Sequence, residues 1–247
     1  MKRLNPTLLT YESLPSTNAE AARLAFEGAG EGLCIVSNEQ TAGRGRLQRQ
    51  WVSRPGAGLY FSLLLRPTVA LDQWPVISLL AAIAVRDALL AVADLSTDIK
   101  WPNDILVRGK KLCGILSETV ETPVGRAVIL GIGINLLAQD FPASLRETAI
   151  SVEEATGAKI EPEAVVEPLL SSLDHYYEVL HTVGPGKIIE TWCRYSSYAQ
   201  GKIIRVSLDG RTIEGRTQGL EDDGGLRVET PDGEIKIVRA GDVTAVR

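Results

Sequence analysis

TAGRGRLQRQW, residues Thr41–Trp51, holds three arginines, two glycines and no acid, inside a 247-residue chain whose formal net charge is −5. The bias extends outward. From Gln40 to Leu71 there is no Asp or Glu, yet Arg44, Arg46, Arg49, Arg54 and Arg66 all fall there, with no Lys among them. A guanidinium presents a planar fork of donors that matches a carboxylate or phosphate. Gly43 and Gly45 let neighbouring backbone N–H groups turn inward as an anion nest. The stretch reads as an anion-holding loop, or, if acids distant in sequence cover it, as a solvated basic face. A nucleic acid is a poor choice of anion. Trp51 could stack on a base, but the sequence pI is near 5.2, and the other Lys and Arg are scattered among acids rather than gathered in a stripe. A small, concentrated anion fits better.

On either side of this loop, strand-like and helix-like segments alternate. LLTYE leads into STNAEAARLAFEGAG, where Thr17 and Glu20 have capping-box spacing ahead of a helix. LCIVSNE and the apolar GLYFSLLLRP read as strands, and Gln73–Ala93 as a long helix. STDIKWPNDILVRGKKLCGILSETV reads as strand, turn and hairpin with its bend at Arg108-Gly109-Lys110. GRAVILGIGINLL is a further buried strand whose Gly131 and Gly133 imply a close approach to the backbone. Helices follow over Glu163–His181 and Lys187–Tyr195. From Gly201 on, Asp209-Gly210, Asp223-Gly224, Asp232-Gly233 and Gly241-Asp242 punctuate short β segments, the pattern of a small SH3-like barrel. The fold class is therefore α+β, a mixed sheet flanked by helices. Two domains are expected, 1–198 and 199–247, meeting near Tyr198-Ala199.

With 23% charged and 45% hydrophobic residues, the composition is that of a globular protein rather than a disordered or fibrous one. The longest apolar run, Val76–Val85, includes Ser78 and stops at Arg86, short of the roughly 20 residues of a membrane span; it is expected as a core helix. After Lys2 and Arg3, LNPTLLTYE lacks the apolar centre of a signal peptide, so a cytoplasmic protein is expected. Cys34, Cys113 and Cys193 are odd in number and never in a Cys-x-x-Cys pair, which argues against a disulfide framework and a zinc site. His175 and His181, the only histidines, do not share a helix face. Without a Gly-x-Ser-x-Gly elbow, triad hydrolysis lacks support.

IKWPNDI supplies a second polar cluster. Lys100 can meet phosphate as a point charge, Asn103 offers an amide, Asp104 can hold a hard cation such as Mg2+, and Pro102 sets the turn. An ordinary Pro-Asn-Asp turn explains the same residues. Lys110 and Lys111 follow at the hairpin, with Leu112 and Ile115 turned into the core. Asn135 ends a buried strand, either capping it or reaching a ligand. Ser16, Thr17 and Asn18 are capping types that could equally face a ligand.

Taken together and in order, STN (Ser16–Asn18), EQTAGRGRLQRQW (Glu39–Trp51), KWPNDI (from Lys100), KKLCGIL (from Lys110) and GIGIN (ending at Asn135) resemble the biotin protein ligases. The resemblance extends to the C-terminal barrel. It implies a class II synthetase-like catalytic domain and a two-step reaction: biotin and ATP give biotinyl-5'-adenylate and pyrophosphate, and a lysine of a biotin carboxyl carrier domain then takes the biotin. It also assigns roles by position. Ser16, Thr17, Asn18 and Gln40 would hold the ureido ring, with Gly114 beside them. Arg44, Gly45 and Arg46 would wrap the carboxylate and adenylate phosphate. Lys111 would bridge the carboxylate and α-phosphate as the principal catalytic residue, with Arg46. Arg49, Trp51, Lys100, Asn103, Asp104 and Asn135 would serve the nucleotide side, Asp104 with Mg2+. The pair Leu47-Gln48 departs from the family, many members of which carry a glycine between these arginines. The adenine cover is expected within AQDFPASLRETAISVEEATG, with no residue singled out. Only fifteen residues precede Ser16, so ligase activity without DNA binding is expected, on a monomer or homodimer. A lipoate-type acyl ligase and a non-catalytic ligand binder are the alternatives.

Overall fold

Period-two alternation places the strand residues on two faces, and the faces have different fates. The computed structural model describes residues 4–139, 141–208 and 210–246; Lys2, Arg3 and Asp209 lie outside them. Strands β1 (Thr7–Leu14), β2 (Leu33–Gln40), β3 (Gly58–Leu65), β4 (Asp98–Lys100), β5 (Asp104–Val107), β6 (Lys110–Thr122) and β7 (Gly125–Asn135) form one sheet in the order β1-β2-β3-β7-β6-β5-β4. β1 and β2 run parallel through the helical crossover α1 (Thr17–Phe26), and the other pairs are antiparallel, so the sheet is mixed.

On one face, Leu59, Phe61, Leu63 and Leu65 of β3 and Val128, Leu130, Ile132 and Ile134 of β7 join the main core with helix α2 (Val76–Ala93). α2 is apolar nearly all round because most of it up to Leu89 is covered: it packs against this face and against α4 (Pro162–Thr182) and α5 (Pro185–Tyr195). With its lead-in, Leu71–Ala93, it is long and apolar enough to match a membrane span. The length argument from sequence missed this, and burial within the core accounts for the composition. The other face, with Leu64, Ala127 and Ile129, receives Ala21 and Ala25 of α1 in a smaller core. The ligand-sized cavity lies on this second face.

Some local expectations change. Ser16, not Thr17, caps α1, accepting from Ala19 N. Glu20 instead pairs with Arg23 and Tyr11, which frees Thr17 to point into the sheet. α2 begins at Val76, after a separate 3-10 turn at Leu71–Gln73. A short helix α3 (Val152–Thr156), with a complete capping box between Ser151 and Glu154, was not anticipated. Among the described residues, β8 (Gln200–Leu208), β9 (Arg211–Leu220), β10 (Leu226–Glu229), β11 (Ile235–Val238) and β12 (Asp242–Ala245) form a separate antiparallel sheet around Ile204, Val206, Leu226, Val228 and Val243, the SH3-like unit expected. Trp101 Nε1 donates to Gly224 O at 3.0 Å and ties the two units together.

Candidate active site

Three glycines make the floor of the cavity. The register pairs Gly114 with Gly133 and Leu116 with Gly131 across β6 and β7. A Cβ at Gly131 would lie 2.2 Å from Asn18 Oδ1, and one at Gly133 would lie 2.5 Å from the Trp51 ring. These positions are glycine because side chains from α1 and the arginine loop lie flat on the strands. At this end the polar groups are neutral. Gln40 Oε1 accepts from Thr17 N at 2.8 Å and from Thr17 Oγ1 at 3.1 Å, and Gln40 Nε2 donates to Ser53 Oγ at 3.0 Å. Ser62 Oγ donates to Asn18 Oδ1 at 2.6 Å and lies 2.8 Å from Thr17 Oγ1. Such a cluster suits a neutral ligand head that both donates and accepts.

The arginine loop closes over the opposite end. Trp51 N donates to Gly43 O at 2.9 Å and Gly45 N to Arg49 O at 2.7 Å. A Cβ at Gly43 would meet Trp51 O at 2.5 Å, so that glycine is required. Leu47 and Gln48 both adopt left-handed φ, 53° and 58°, the conformation glycine takes without cost. Acids distant in sequence do reach the loop: Arg44 Nη2 donates to Glu118 at 3.0 Å, and Arg49 forms a two-pronged pair with Asp242 of the second unit. Arg46 differs. Its Nη1 donates to Asn103 Oδ1 at 3.2 Å and Gly241 O at 3.3 Å, both neutral, and among the described residues it has no ion-pair partner. Burial pulls its pKa down, opposed by the fields of Asp242 and Asp104. Arg54 and Arg66 are elsewhere; Arg66 donates to Thr122 Oγ1 and Ala29 O at the far end of the sheet.

Beside Arg46, two lysines share one acid. Lys111 Nζ lies 2.5 Å from Asp104 Oδ1, and Lys100 Nζ 3.9 Å from Asp104 Oδ2. Burial lowers the Lys100 pKa, with Asp104 opposing. Lys100 does not line the cavity but stands behind Asp104. Every other residue expected at the site lines a single cavity of about 260 Å³: Ser16, Thr17, Asn18, Gln40, Arg44, Gly45, Arg46, Arg49, Trp51, Asn103, Asp104, Lys111, Gly114 and Asn135. Trp51 lies flat over Gly133, and Lys111, which reaches over Gly114, has its Nζ 5.6 Å from the Trp51 ring centroid. Asn135 Nδ2 donates to Ile150 O at 3.2 Å and Lys111 N to Thr148 O at 2.7 Å. These bonds bring Phe141, Leu145, Thr148 and Ala149 over the cavity, inside the segment expected to cover a nucleotide base.

Sequence reasoning missed Ser62, Ser53, Glu118 and Asp242. Ser62 was visible as the lone polar residue of an otherwise apolar buried strand, GLYFSLLL. The two acids carry no local signal, because their partners are far away in the chain.

Residues 11–135 match the model of the Biotin/lipoate A/B protein ligase family, and residues 200–244 match the Biotin protein ligase C terminal domain. The Bifunctional ligase/repressor BirA of Bacillus spizizenii is 41% identical over 240 residues, covering 94% of this chain and 72% of that protein. The Biotin--[acetyl-CoA-carboxylase] ligase of Paracoccus denitrificans is 33% identical over 234 residues, 92% of this chain and 96% of the relative. The chain belongs to the biotin protein ligases. Among solved structures of the family, that of the Aquifex aeolicus enzyme in complex with biotin and ATP superposes with a TM-score of 0.82 at 28% identity, covering 98% of this chain and 99% of that one. The family's two-unit architecture thus spans nearly all of this chain.

Proposed function

We propose that this biotin protein ligase activates biotin with ATP and passes it to a lysine of a biotin carboxyl carrier domain. The observation that carries the reading is Arg46. Its half-buried guanidinium is met only by neutral acceptors, at the cationic end of a cavity whose other end is lined by amides and hydroxyls. Burying a charge with no counter-ion in direct contact is costly, and an anionic ligand offsets that cost. Biotin has the matching shape, a neutral ureido head and a carboxylate tail.

In the first step a biotin carboxylate oxygen attacks the α-phosphorus of ATP. The bond from that phosphorus to the bridging oxygen breaks, and pyrophosphate leaves. Two anions must meet, so fixed donors are needed where charge accumulates, each contributing about 3 kcal/mol when preorganised. We assign this role to Lys111 and Arg46, with Arg44 on the carboxylate. The ion pair with Asp104 keeps the Lys111 ammonium aimed. In the second step the neutral amine of the carrier lysine attacks the acyl carbon. The acyl carbon–oxygen bond breaks, AMP departs with that oxygen, and the amine proton goes to solvent. The loop over the cavity keeps water from the mixed anhydride meanwhile.

Among the described residues no group of three His, Cys, Asp or Glu forms a metal cage. Mg2+ therefore fits as part of the ATP substrate, held mainly by phosphate oxygens and water, with Asp104 as the hard oxygen donor at that end. Bound there it would offset the charge of the triphosphate. We further assign catalysis to residues 1–198 and a supporting role to 199–247, and place the enzyme in the cytoplasm, in keeping with its free cysteines. Pyrophosphate release tests the reading: it should require biotin and ATP together. Release with lipoate in place of biotin would favour the lipoate-type reading, and none with either acid would leave a binding protein.

A further inference from the structure

We propose that Glu118 is the positioning residue that couples the two ends of the ligase pocket; the inference rests on the biotin and ATP reading above. Glu118 follows Gly114 and Leu116 at two-residue spacing on β6, so it shares their face of the sheet, the face that carries Gly131 and Gly133. It does not line the cavity itself. One of its oxygens, Oε2, accepts from Asn18 Nδ2 at 2.7 Å and from Arg44 Nη2 at 3.0 Å. Asn18 belongs to the neutral end and Arg44 to the cationic loop, so a single oxygen sets the position of one relative to the other.

The geometry makes this a chain of constraints. Asn18 Oδ1 is pinned by Ser62 Oγ at 2.6 Å and by the backbone at Gly131, where no side chain fits. That pinning orients the Asn18 amide, whose Nδ2 then reaches Leu116 O and Glu118. Glu118 in turn holds Arg44. Among the described residues this is the only side-chain hydrogen bond of Arg44, so the other N–H donors of its fork remain for a ligand anion. A guanidinium held in place loses less rotamer freedom when the ligand binds.

The test compares wild type, Glu118→Gln and Glu118→Ala, each with Arg44 intact and with Arg44→Ala. It measures biotin-dependent ATP–pyrophosphate exchange and, without ligand, hydrogen exchange of loop amides 43–51. With Arg44 present, both substitutions should raise the biotin KM roughly three- to tenfold for this partly exposed pair. They should leave kcat within about twofold, because what is lost is pre-ordering of binding, and should speed amide exchange in the loop. With Arg44 absent, each substitution should have a clearly smaller effect, that of the Asn18 bond alone. Equal effects in both backgrounds, an unchanged biotin KM or unchanged loop exchange would overturn the proposal; so would a loss of melting temperature that is the same with and without Arg44. If wild type shows no biotin-dependent exchange, the ligase reading fails, and the loop amides alone then judge Glu118. Faster exchange that depends on Arg44 supports its role, and unchanged exchange overturns it.

Discussion

Replacing Gly131 with alanine places a methyl 2.2 Å from Asn18 Oδ1 and 2.9 Å from both its Cγ and its Nδ2. Since non-bonded contacts favour about 3.5 Å, the Asn18 amide must retreat by roughly 1 Å. It has little room, being buried and bonded to Ser62 and Glu118. Losing one neutral hydrogen bond (about 1 kcal/mol) and one to a charged group (about 1.5–3 kcal/mol) is offset only by about 0.5–1 kcal/mol from replacing a strand glycine. The balance is about 2 kcal/mol of destabilisation, a fall in melting temperature of roughly 4–8 °C for a chain of this size. Because Asn18 lies at the neutral end, biotin affinity should fall by about tenfold or more. Thermal unfolding and calorimetric titration with biotin measure the two effects. Gly114→Ala is the control: its methyl meets Trp51 Cζ3 at 3.0 Å and the flexible tip of Lys111 at 3.1 Å. It should therefore disturb adenylation more than stability. A Gly131→Ala protein with wild-type melting temperature and biotin affinity would refute the claim that a fixed Asn18 amide builds this end of the site.

Lys111→Met should slow biotinyl-adenylate formation by roughly 10²–10³-fold, the usual loss for one preorganised donor, with circular dichroism showing an unchanged fold; a smaller kinetic effect would move the main role elsewhere. Gln48→Gly relieves a left-handed residue at a cost of roughly 1 kcal/mol. It should slow release of the adenylate by up to about fivefold, and faster release would show that the loop conformation is not the closed one. Burial pushes the Cys34 thiol from 9.0 up to about 12. The unfolded thiol ionises first, so this contribution to stability is complete below pH 9 and is lost as pH rises towards 12. A thiol reagent at pH 8 should therefore label half-buried Cys193 in the native protein but not Cys34 or Cys113, and rapid labelling of all three would contradict their burial.

Periodicity made most elements legible, because the main sheet has one face against α2 and the other against α1. The parallel pairing of β1 with β2 was less visible, since a short helical crossover has no signature that fixes strand order. α3 was missed because a five-residue helix has too few positions for a period. At the site, local chemistry picked out Arg44, Arg46, Arg49, Lys111, Gly131 and Gly133, which line one cavity, whereas Arg54, Arg66 and Lys100 do not. Their neutralising partners were beyond reach: Glu118 lies 74 residues from Arg44, and Asp242 lies 193 from Arg49. Thr17 was assigned to capping because nothing in STN says which hydroxyl turns inward. Ser16 takes the cap, and Ser62 and Gln40 draw Thr17 into the site.

The central claim is that the cavity brings a biotin carboxylate onto the α-phosphorus of ATP. Biotin labelled with 18O in its carboxylate, supplied with ATP, Mg2+ and a carrier domain, tests it by mass spectrometry of the products. Attack by the carboxylate oxygen at that phosphorus, followed by acyl transfer to lysine, predicts one labelled oxygen in the phosphate of AMP. Label in inorganic phosphate, accompanied by ADP, would place the attack at the γ-phosphorus and contradict the account.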